Sequence, residues 1–256
     1  MKLEKYHGLG NDFLVLLDLD GLHLVDGATA RALCDRHRGV GADGLIRVSA
    51  GPTMHLFNAD GSRAEMSGNG IRCLALALVD AGLEPGPEIT IATDAGPRRV
   101  VVGAGPHDSG PDGRAISVDM GGATVEPGPG RSLLVDMGNP HAVIEVQDPY
   151  DVDLGREYRR LGVDVNVEVV AAGPGADELT MRVWERGVGE TQACGTGACA
   201  AAVAAHQWGV VGERVTVHQP GGALVVDLSG EQIVLTGPAA WICTVEVDSG
   251  EIEVHP

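Results

Sequence analysis

Aromatic residues make up only 3% of the 256-residue chain, lysine occurs only as Lys2 and Lys5, and the five cysteines form no Cys-x-x-Cys pair. Each scarcity excludes something. With so few rings the core must be built from Val, Leu, Ile and Ala, and no aromatic platform is available for stacking nucleobases. Basic residues number 18 against 36 acidic ones, and the resulting net charge of -18 would repel a phosphate backbone, so nucleic acid is not an expected partner. Cys34, Cys73, Cys194, Cys199 and Cys243 are odd in number and scattered, which argues against a disulfide framework or a zinc site. No metal or organic cofactor is indicated. No run approaches the roughly 18 apolar residues of a membrane-spanning helix, and Met1 to Tyr6 lacks the apolar stretch of a secretion signal, so neither membrane nor export is expected and the expected location is the cytoplasm.

What is present is a hydrophobic fraction of 44%, enough for one large core or two ordinary ones. The chain also repeats itself. Residues 54–82 (MHLFNADGSRAEMSGNGIRCLALALVDAG) lie on residues 181–209 (MRVWERGVGETQACGTGACAAAVAAHQWG) without a gap, at a constant offset of 127. Met54 falls on Met181, Gly68 on Gly195, Gly70 on Gly197 and Gly82 on Gly209; Gly10-Asn11 falls near Gly138-Asn139. Each copy reads as a short apolar strand, a polar loop, Gly-x-Gly, and an apolar helix that should end at Gly82 or Gly209. Strands rich in Val, Ile and Thr follow, at Ile89 to Thr93 and Val215 to His218. Residues 103–113, dense in Gly, Pro and Asp, read as a long turn or lobe boundary. The pattern predicts an α+β fold of two pseudo-symmetric lobes, residues 1–113 and 114–246, with a C-terminal strand at about 247–256 completing the first and a ligand site in the cleft between them.

The unpaired amides of a helix's first turn, with its dipole, attract anions, and glycines let a ligand approach the backbone. A single Gly-x-Gly is more commonly a tight turn. Two matching copies, each preceded by a nucleophile-type residue, Ser67 or Cys194, point instead to a carboxylate clamp. A helix N-terminus is expected to lower the Cys194 pKa toward neutrality. The other cysteines are expected in the core. Glu185, in the segment feeding the same helix, is a candidate to hold a proton or bind an ammonium. Asn11, Asn58, Asn139 and Asn166 lie beside glycines or at strand ends, where an amide can both donate and accept. His141, at the start of an apolar strand, is a candidate acid/base or orienting group.

Several stretches together resemble the diaminopimelate epimerases along nearly the whole chain. They are His7-Gly8-Leu9-Gly10-Asn11-Asp12-Phe13, Arg36 to Asp43, Asn58-Ala59-Asp60-Gly61, Gly68-Asn69-Gly70-Ile71-Arg72-Cys73, Gly138-Asn139-Pro140-His141, and Glu185-Arg186-Gly187 through Ala193-Cys194-Gly195-Thr196-Gly197. The resemblance implies lobes built as curved, mostly antiparallel sheets around a central helix. It also implies a pyridoxal-free isomerase that interconverts L,L- and meso-diaminopimelate on the way to lysine and cell-wall peptide, one base working on each face of the α-carbon. On that reading Asn11, Asn58, Asn139, Asn166, Glu185 and Arg186 hold the substrate, the backbone at Gly68-Asn69 and Gly195-Thr196 takes its carboxylate, and His141 and Glu185 assist the bases. The partner is a small amino acid, with a homodimer as the assembly to test.

The chain departs from that family at two places. Ser67 stands where the family carries its first catalytic cysteine, and Gly44 stands where many members have glutamine. A serine hydroxyl is a far weaker acid than a thiol and needs an adjacent base. Ser67 therefore reads in three ways: as a replaced cysteine, as a slower base working with His141, or as the mark of changed chemistry. The last would make Cys194 the sole base of a dehydratase or isomerase. A silent amino-acid-binding protein is the alternative from outside enzymology.

Overall fold

The structure, a computed structural model, describes residues 1–103, 113–161 and 165–248. The chain divides into two compact units, Met1–Val118 with Gly237–Pro256, and Asp119–Thr236. The first unit contains β1 (Lys2–Gly8), β2 (Asn11–Leu17), α1 (Gly27–Cys34), β3 (Gly44–Ser49), β4 (Thr53–Asn58), β5 (Arg63–Ala64), α2 (Gly68–Asp80), β6 (Glu88–Thr93), β7 (Gly96–Val102) and most of β8 (Arg114–Gly121). The second contains β9 (Thr124–Pro127), β10 (Ser132–Asp136), β11 (Pro140–Glu145), α3 (Leu154–Leu161), β12 (Asn166–Ala172), β13 (Glu178–Glu185), β14 (Gly189–Thr191), α4 (Gly195–Gln207), β15 (Arg214–Gln219), β16 (Gly222–Asp227) and the start of β17 (Ile233–Glu246). The chain leaves the first unit within β8, beyond the boundary expected at 113. It returns at Gly237 rather than near 247, because β17 is one uninterrupted strand that pairs with β16 up to Thr236 and then runs antiparallel to β1. The turn expected over 103–113 lies outside the described residues except at its two ends, and so does residue 249 onward of the expected closing strand.

The duplication is visible in the pairing. In the first unit β1–β2, β3–β4, β4–β5, β6–β7 and β7–β8 are antiparallel, while β2–β3 and β4–β6 are parallel. In the second, β10–β11, β12–β13, β13–β14, β15–β16 and β16–β17 are antiparallel, while β11–β12 and β13–β15 are parallel. Parallel neighbours need a crossover, and helices supply it: α1 and α2 in one unit, α3 and α4 in the other. β2 and β12, which adjoin such crossovers, are buried along nearly their whole length, as strands covered on both faces are.

α2 and α4 are the centres of the two units. Every residue of α2 from Gly68 to Leu78 is buried, as a helix that is apolar all round requires. α4 achieves the same with alanines, Ala198, Ala200, Ala201, Ala202, Ala204 and Ala205 all being buried. Both helices stop as expected: Gly82 and Gly209 adopt φ of +69° and +73°. The next amides, of Leu83 and Val210, fold back to the carbonyls of Leu78 and Ala205 at 3.0 and 2.9 Å, a glycine-terminated helix end. No helix among the described residues is long and apolar enough to cross a membrane. Cys34, Cys73 and Cys199 are buried as expected. Cys243, which was expected in the core, is only partly covered on β17 opposite Lys5 of β1.

The start of the first unit is tied by charge. Asp12 of β2 receives Lys5 Nζ at 2.9 Å and Arg36 Nη2 at 2.5 Å, and Arg36 also reaches Asp43 at 2.8 Å. Burial pushes the Asp12 carboxyl up, but Arg36 and Lys5 outweigh it and hold Asp12 below the ordinary carboxylate range. A depressed carboxylate stabilises the fold above its unfolded pKa of about 4 and loses that contribution as the pH falls toward the folded value. Asp12→Asn is expected to cost about 1–3 kcal/mol at neutral pH, with the difference from the unmodified chain shrinking below about pH 4. Denaturant melts at neutral and acid pH measure both.

Candidate active site

Cys194 is the residue before α4, in extended backbone at φ -127° and ψ 120°, and its sulfur accepts the Gly197 amide at 3.4 Å. The Thr196 hydroxyl lies 3.5 Å from the same sulfur. The Cys194 amide donates to Gln219 Oε1 at 2.8 Å, so β15 fixes the backbone from the other side. Glu185, the last residue of β13, receives the Thr191 hydroxyl at 2.5 Å, and its carboxylate acts electrostatically on the Cys194 thiol. Two strand ends and a helix start therefore converge on one sulfur.

The helix N-terminus does not lower the thiol, contrary to the sequence expectation. Burial, then the carboxylates of Glu185 and Glu168, push Cys194 well above its ordinary value, and the hydrogen bonds from Thr196 and Gly197 do not offset them. Burial likewise raises Glu185. Thiol and carboxyl are thus two adjacent acids, neither of which favours being the second anion. Cys73, six residues beyond Ser67, is pushed up to about 12 by its burial inside α2, and Cys34 to about 12 by burial together with Asp12 and Asp43.

Behind the thiol stands a pair that the sequence reading passed over in half. His141 is fully buried on β11, its Nδ1 2.6 Å from Glu168 Oε1 and its Nε2 3.2 Å from Asn139 Oδ1. With both ring nitrogens engaged, His141 is not available as a direct base for a substrate or for Ser67. Asn139 passes the contact on, its Nδ2 reaching Thr196 Oγ1 at 3.4 Å. Asn166 is held by backbone on both sides, donating to Pro140 O at 3.3 Å and accepting from the Arg186 amide at 2.9 Å. Arg186 itself is exposed just beyond β13. Glu168, fully buried in β12, was not among the residues singled out; its signal is one acid inside the apolar run Asn166–Ala172.

The first unit repeats the geometry with a hydroxyl in place of the thiol. Ser67 precedes α2 in the same extended conformation, at φ -137° and ψ 126°, and its Oγ accepts the Gly70 amide at 3.1 Å. Asn11 donates to Asp43 Oδ2 at 2.8 Å and accepts from Asn69 Nδ2 at 3.1 Å. The fully buried Arg72 in turn donates to Asn69 Oδ1 at 2.8 Å and to Gly68 O at 2.9 Å. Asp43 thus orients the expected substrate-holding amide of Asn11, and Arg72 orients the Asn69 amide that donates to it, roles the sequence did not disclose. Asn58 ends β4 as Glu185 ends β13, and its amide donates to Ser62 Oγ at 2.9 Å. The parallel registers match Phe13 to His141, as partners of Gly44 and Asn166. Gly44 is closed to any side chain there: a Cβ would meet Phe57 O at 2.9 Å and the Phe13 ring at 3.0 Å. Ile46, two residues past Gly44, takes the place of Glu168; a Cβ on Gly70 would meet Ile46 Cδ1 at 3.3 Å, as one on Gly197 would meet Glu168 Oε1 at 2.6 Å.

The chain matches the family model described as diaminopimelate epimerase over residues 3–126 and 133–242. It is 39% identical to the diaminopimelate epimerase of Pelotomaculum thermopropionicum, covering 98% of each chain. It is 38% identical to that of Halorhodospira halophila, covering 97% of this chain and 95% of the relative. Among solved structures it is similar to a PhzF-family phenazine biosynthesis protein of Bacillus anthracis, with a TM-score of 0.74 at 16% identity over 96% and 98% of the two chains. It is also similar to a hydroxyproline epimerase of Agrobacterium vitis, with a TM-score of 0.66 at 17% identity over 96% and 91%. At these identities the two structures show the shared α+β fold alone.

The two glycines separate the half-sites experimentally. Alanine at a helical glycine gains about 1 kcal/mol of propensity, and at Gly70 a Cβ would meet the yielding ends of Met54 and Ile46 at 3.1 and 3.3 Å and Ser67 Cβ at 3.2 Å, none of them nearer than 3.0 Å. At Gly197 the neighbour is a buried carboxyl already fixed by His141. Gly70→Ala is expected to leave the melting temperature nearly unchanged, while Gly197→Ala is expected to cost about 1–3 kcal/mol, both read by thermal melts.

Proposed function

Because the chain belongs to the diaminopimelate epimerase family, we propose that it inverts an α-carbon of diaminopimelate, taking the L,L to the meso isomer without pyridoxal phosphate. Cys194 serves as the base for one face. The observation that carries this reading is the thiol of Cys194 at the start of α4, with the Gly197 amide and the Thr196 hydroxyl at its sulfur.

The thiol's proton passes to Glu185, whose raised pKa suits it to receive one. The thiolate, held by the Gly197 amide and the Thr196 hydroxyl, then removes the substrate's α-proton. The resulting negative charge spreads into the adjacent carboxylate, which first-turn amides at Gly195-Thr196 and Gly68-Asn69 stabilise. Asn11, Asn58, Asn139, Asn166, Glu185 and Arg186 hold the substrate. Reprotonation from the other face falls to Ser67. That step is the slow one, because Asn58 stands at the place in the first unit that Glu185 holds in the second, and an amide cannot take the hydroxyl's proton as a carboxylate can. The activity belongs to the cytoplasm, and a homodimer, testable by light scattering, is its assembly.

The same inequality favours a second reading, in which Cys194 alone drives an elimination or double-bond shift on another amino acid. A product that has lost water or moved its double bond identifies it.

Two measurements test the first reading. In deuterium oxide the unmodified chain is expected to exchange the α-proton of diaminopimelate faster than it inverts the centre, and Ser67→Cys is expected to raise inversion on the order of 10²-fold or more. Absence of both exchange and inversion in both forms would falsify it. Because burial and two carboxylates raise the thiol, the exchange rate is expected to climb as the pH is taken to the alkaline side, and a profile that falls there contradicts Cys194 as the base.

A further inference from the structure

We propose that Glu168 and His141 hold one shared proton that fixes the amide of Asn139 and thereby aims the Thr196 hydroxyl at the Cys194 sulfur, which makes Glu168 a positioning residue of the site. The inference deepens the reading of Cys194 as a base, but its first test does not depend on turnover.

The argument is a count of hydrogens. Asn139 Nδ2 points at Thr196 Oγ1, so its Oδ1 faces His141 Nε2 at 3.2 Å. On the other side of the ring, Nδ1 faces Glu168 Oε1 at 2.6 Å. An amide oxygen and an ionised carboxylate only accept, and a neutral imidazole has a single N–H. Both contacts are made only when the pair carries one proton more than a carboxylate beside a neutral ring. Either the imidazole is cationic or the carboxyl is protonated; in both cases Nε2 bears hydrogen.

That proton decides the direction of the chain beyond it. With Nε2–H donating to Asn139 Oδ1, Asn139 Nδ2 donates to Thr196, and the Thr196 hydrogen is left to donate to Cys194 Sγ at 3.5 Å. The sulfur then accepts from Thr196 and from the Gly197 amide. Remove the shared proton and Nε2 becomes an acceptor. The amide turns over, the Thr196 hydroxyl is drawn to Asn139 Oδ1, and the sulfur loses one of its donors just as it must become a thiolate. The titratable groups that act on that sulfur from the surrounding elements are Glu185 on β13 and Glu168 on β12.

Three further observations support a functional rather than an architectural pair. His141 and Glu168 are completely buried, and Glu168 Oε2 has no hydrogen-bond partner among the described residues, an arrangement less costly for a protonated carboxyl than for a carboxylate. Glu168 Oε1 approaches so closely that a Cβ at 197 would meet it at 2.6 Å, and the carboxyl would have to shift. The first unit fills the corresponding places with Phe13 and Ile46 and keeps the same fold. Apolar residues in place of a buried ion pair are commonly neutral or stabilising, so the fold alone gives no reason to retain the pair.

The experiment is long-range proton–nitrogen NMR on the unmodified chain with ¹⁵N-labelled histidine, His141 being assigned by its absence from His141→Asn. A protonated Nε2 at neutral pH is the expected result; a hydrogen-free Nε2 overturns the proposal. The double variant His141→Phe, Glu168→Ile, which copies the first unit, is expected to melt no lower than the unmodified chain while kcat for α-proton exchange falls on the order of 10²-fold with KM little changed. A folded double variant with undiminished kcat also overturns it. If the unmodified chain exchanges nothing from diaminopimelate, the substrate reading fails, and the NMR result still decides the shared proton.

Discussion

A carboxyl group seated against the first turn of a helix governs the second unit. Glu168 Oε1 lies where a side chain at position 197 would have to be, and it is held there by His141 at 2.6 Å with neither residue exposed. From that contact follow the glycine at 197, the fixed imidazole, the aimed amide of Asn139, and the hydroxyl of Thr196 beside the thiol. Burial, with the Glu185 carboxylate next in weight, keeps the thiol protonated in a site already cut off from water. Desolvation and like charge outweigh the helix dipole, whose effect fades within the first turn. The site stores a proton on sulfur and provides an adjacent acceptor for it.

The first unit shows what that contact adds. Its strand pairing, its central helix, its extended residue before Gly-x-Gly and its glycine-ended helix repeat those of the second unit almost step for step. Its own polar chain runs instead from Arg72 through Asn69 to Asn11 and Asp43, orienting amides rather than moving protons. Where the second unit has Glu185, Glu168 and His141, the first has Asn58, Ile46 and Phe13. One duplicated architecture thus carries two different polar networks at its two helix starts. Ser67 belongs to the half in which Asn58 holds the place of Glu185.

Much of this was legible before any coordinates. The repeat of 54–82 on 181–209 places both helix starts and both helix ends correctly, because Gly-x-Gly and the terminal glycines answer to backbone geometry that sequence expresses directly. The asparagines at strand ends were legible for the same reason. Glu168 was not, because a lone acid between valines looks like any strand residue until the parallel partner strand brings His141 beside it. The direction of the Cys194 shift was missed for a related cause: helix position is a local property, whereas burial and the two carboxylates come from strands distant in the chain. The unit boundary was misplaced because β17 runs unbroken through the point where the chain changes units, and an uninterrupted strand carries no turn signal.

The most direct test of the account is the titration of Cys194 itself, read as the thiolate absorbance that disappears in Cys194→Ser. The account predicts that this thiolate forms only above the ordinary thiol value of about 8.5 and that Glu185→Gln moves its formation to lower pH by removing one of the opposing charges. A Cys194 that titrates below the ordinary value, and that is indifferent to Glu185, would contradict the claim that burial and carboxylates rather than the helix start govern the base.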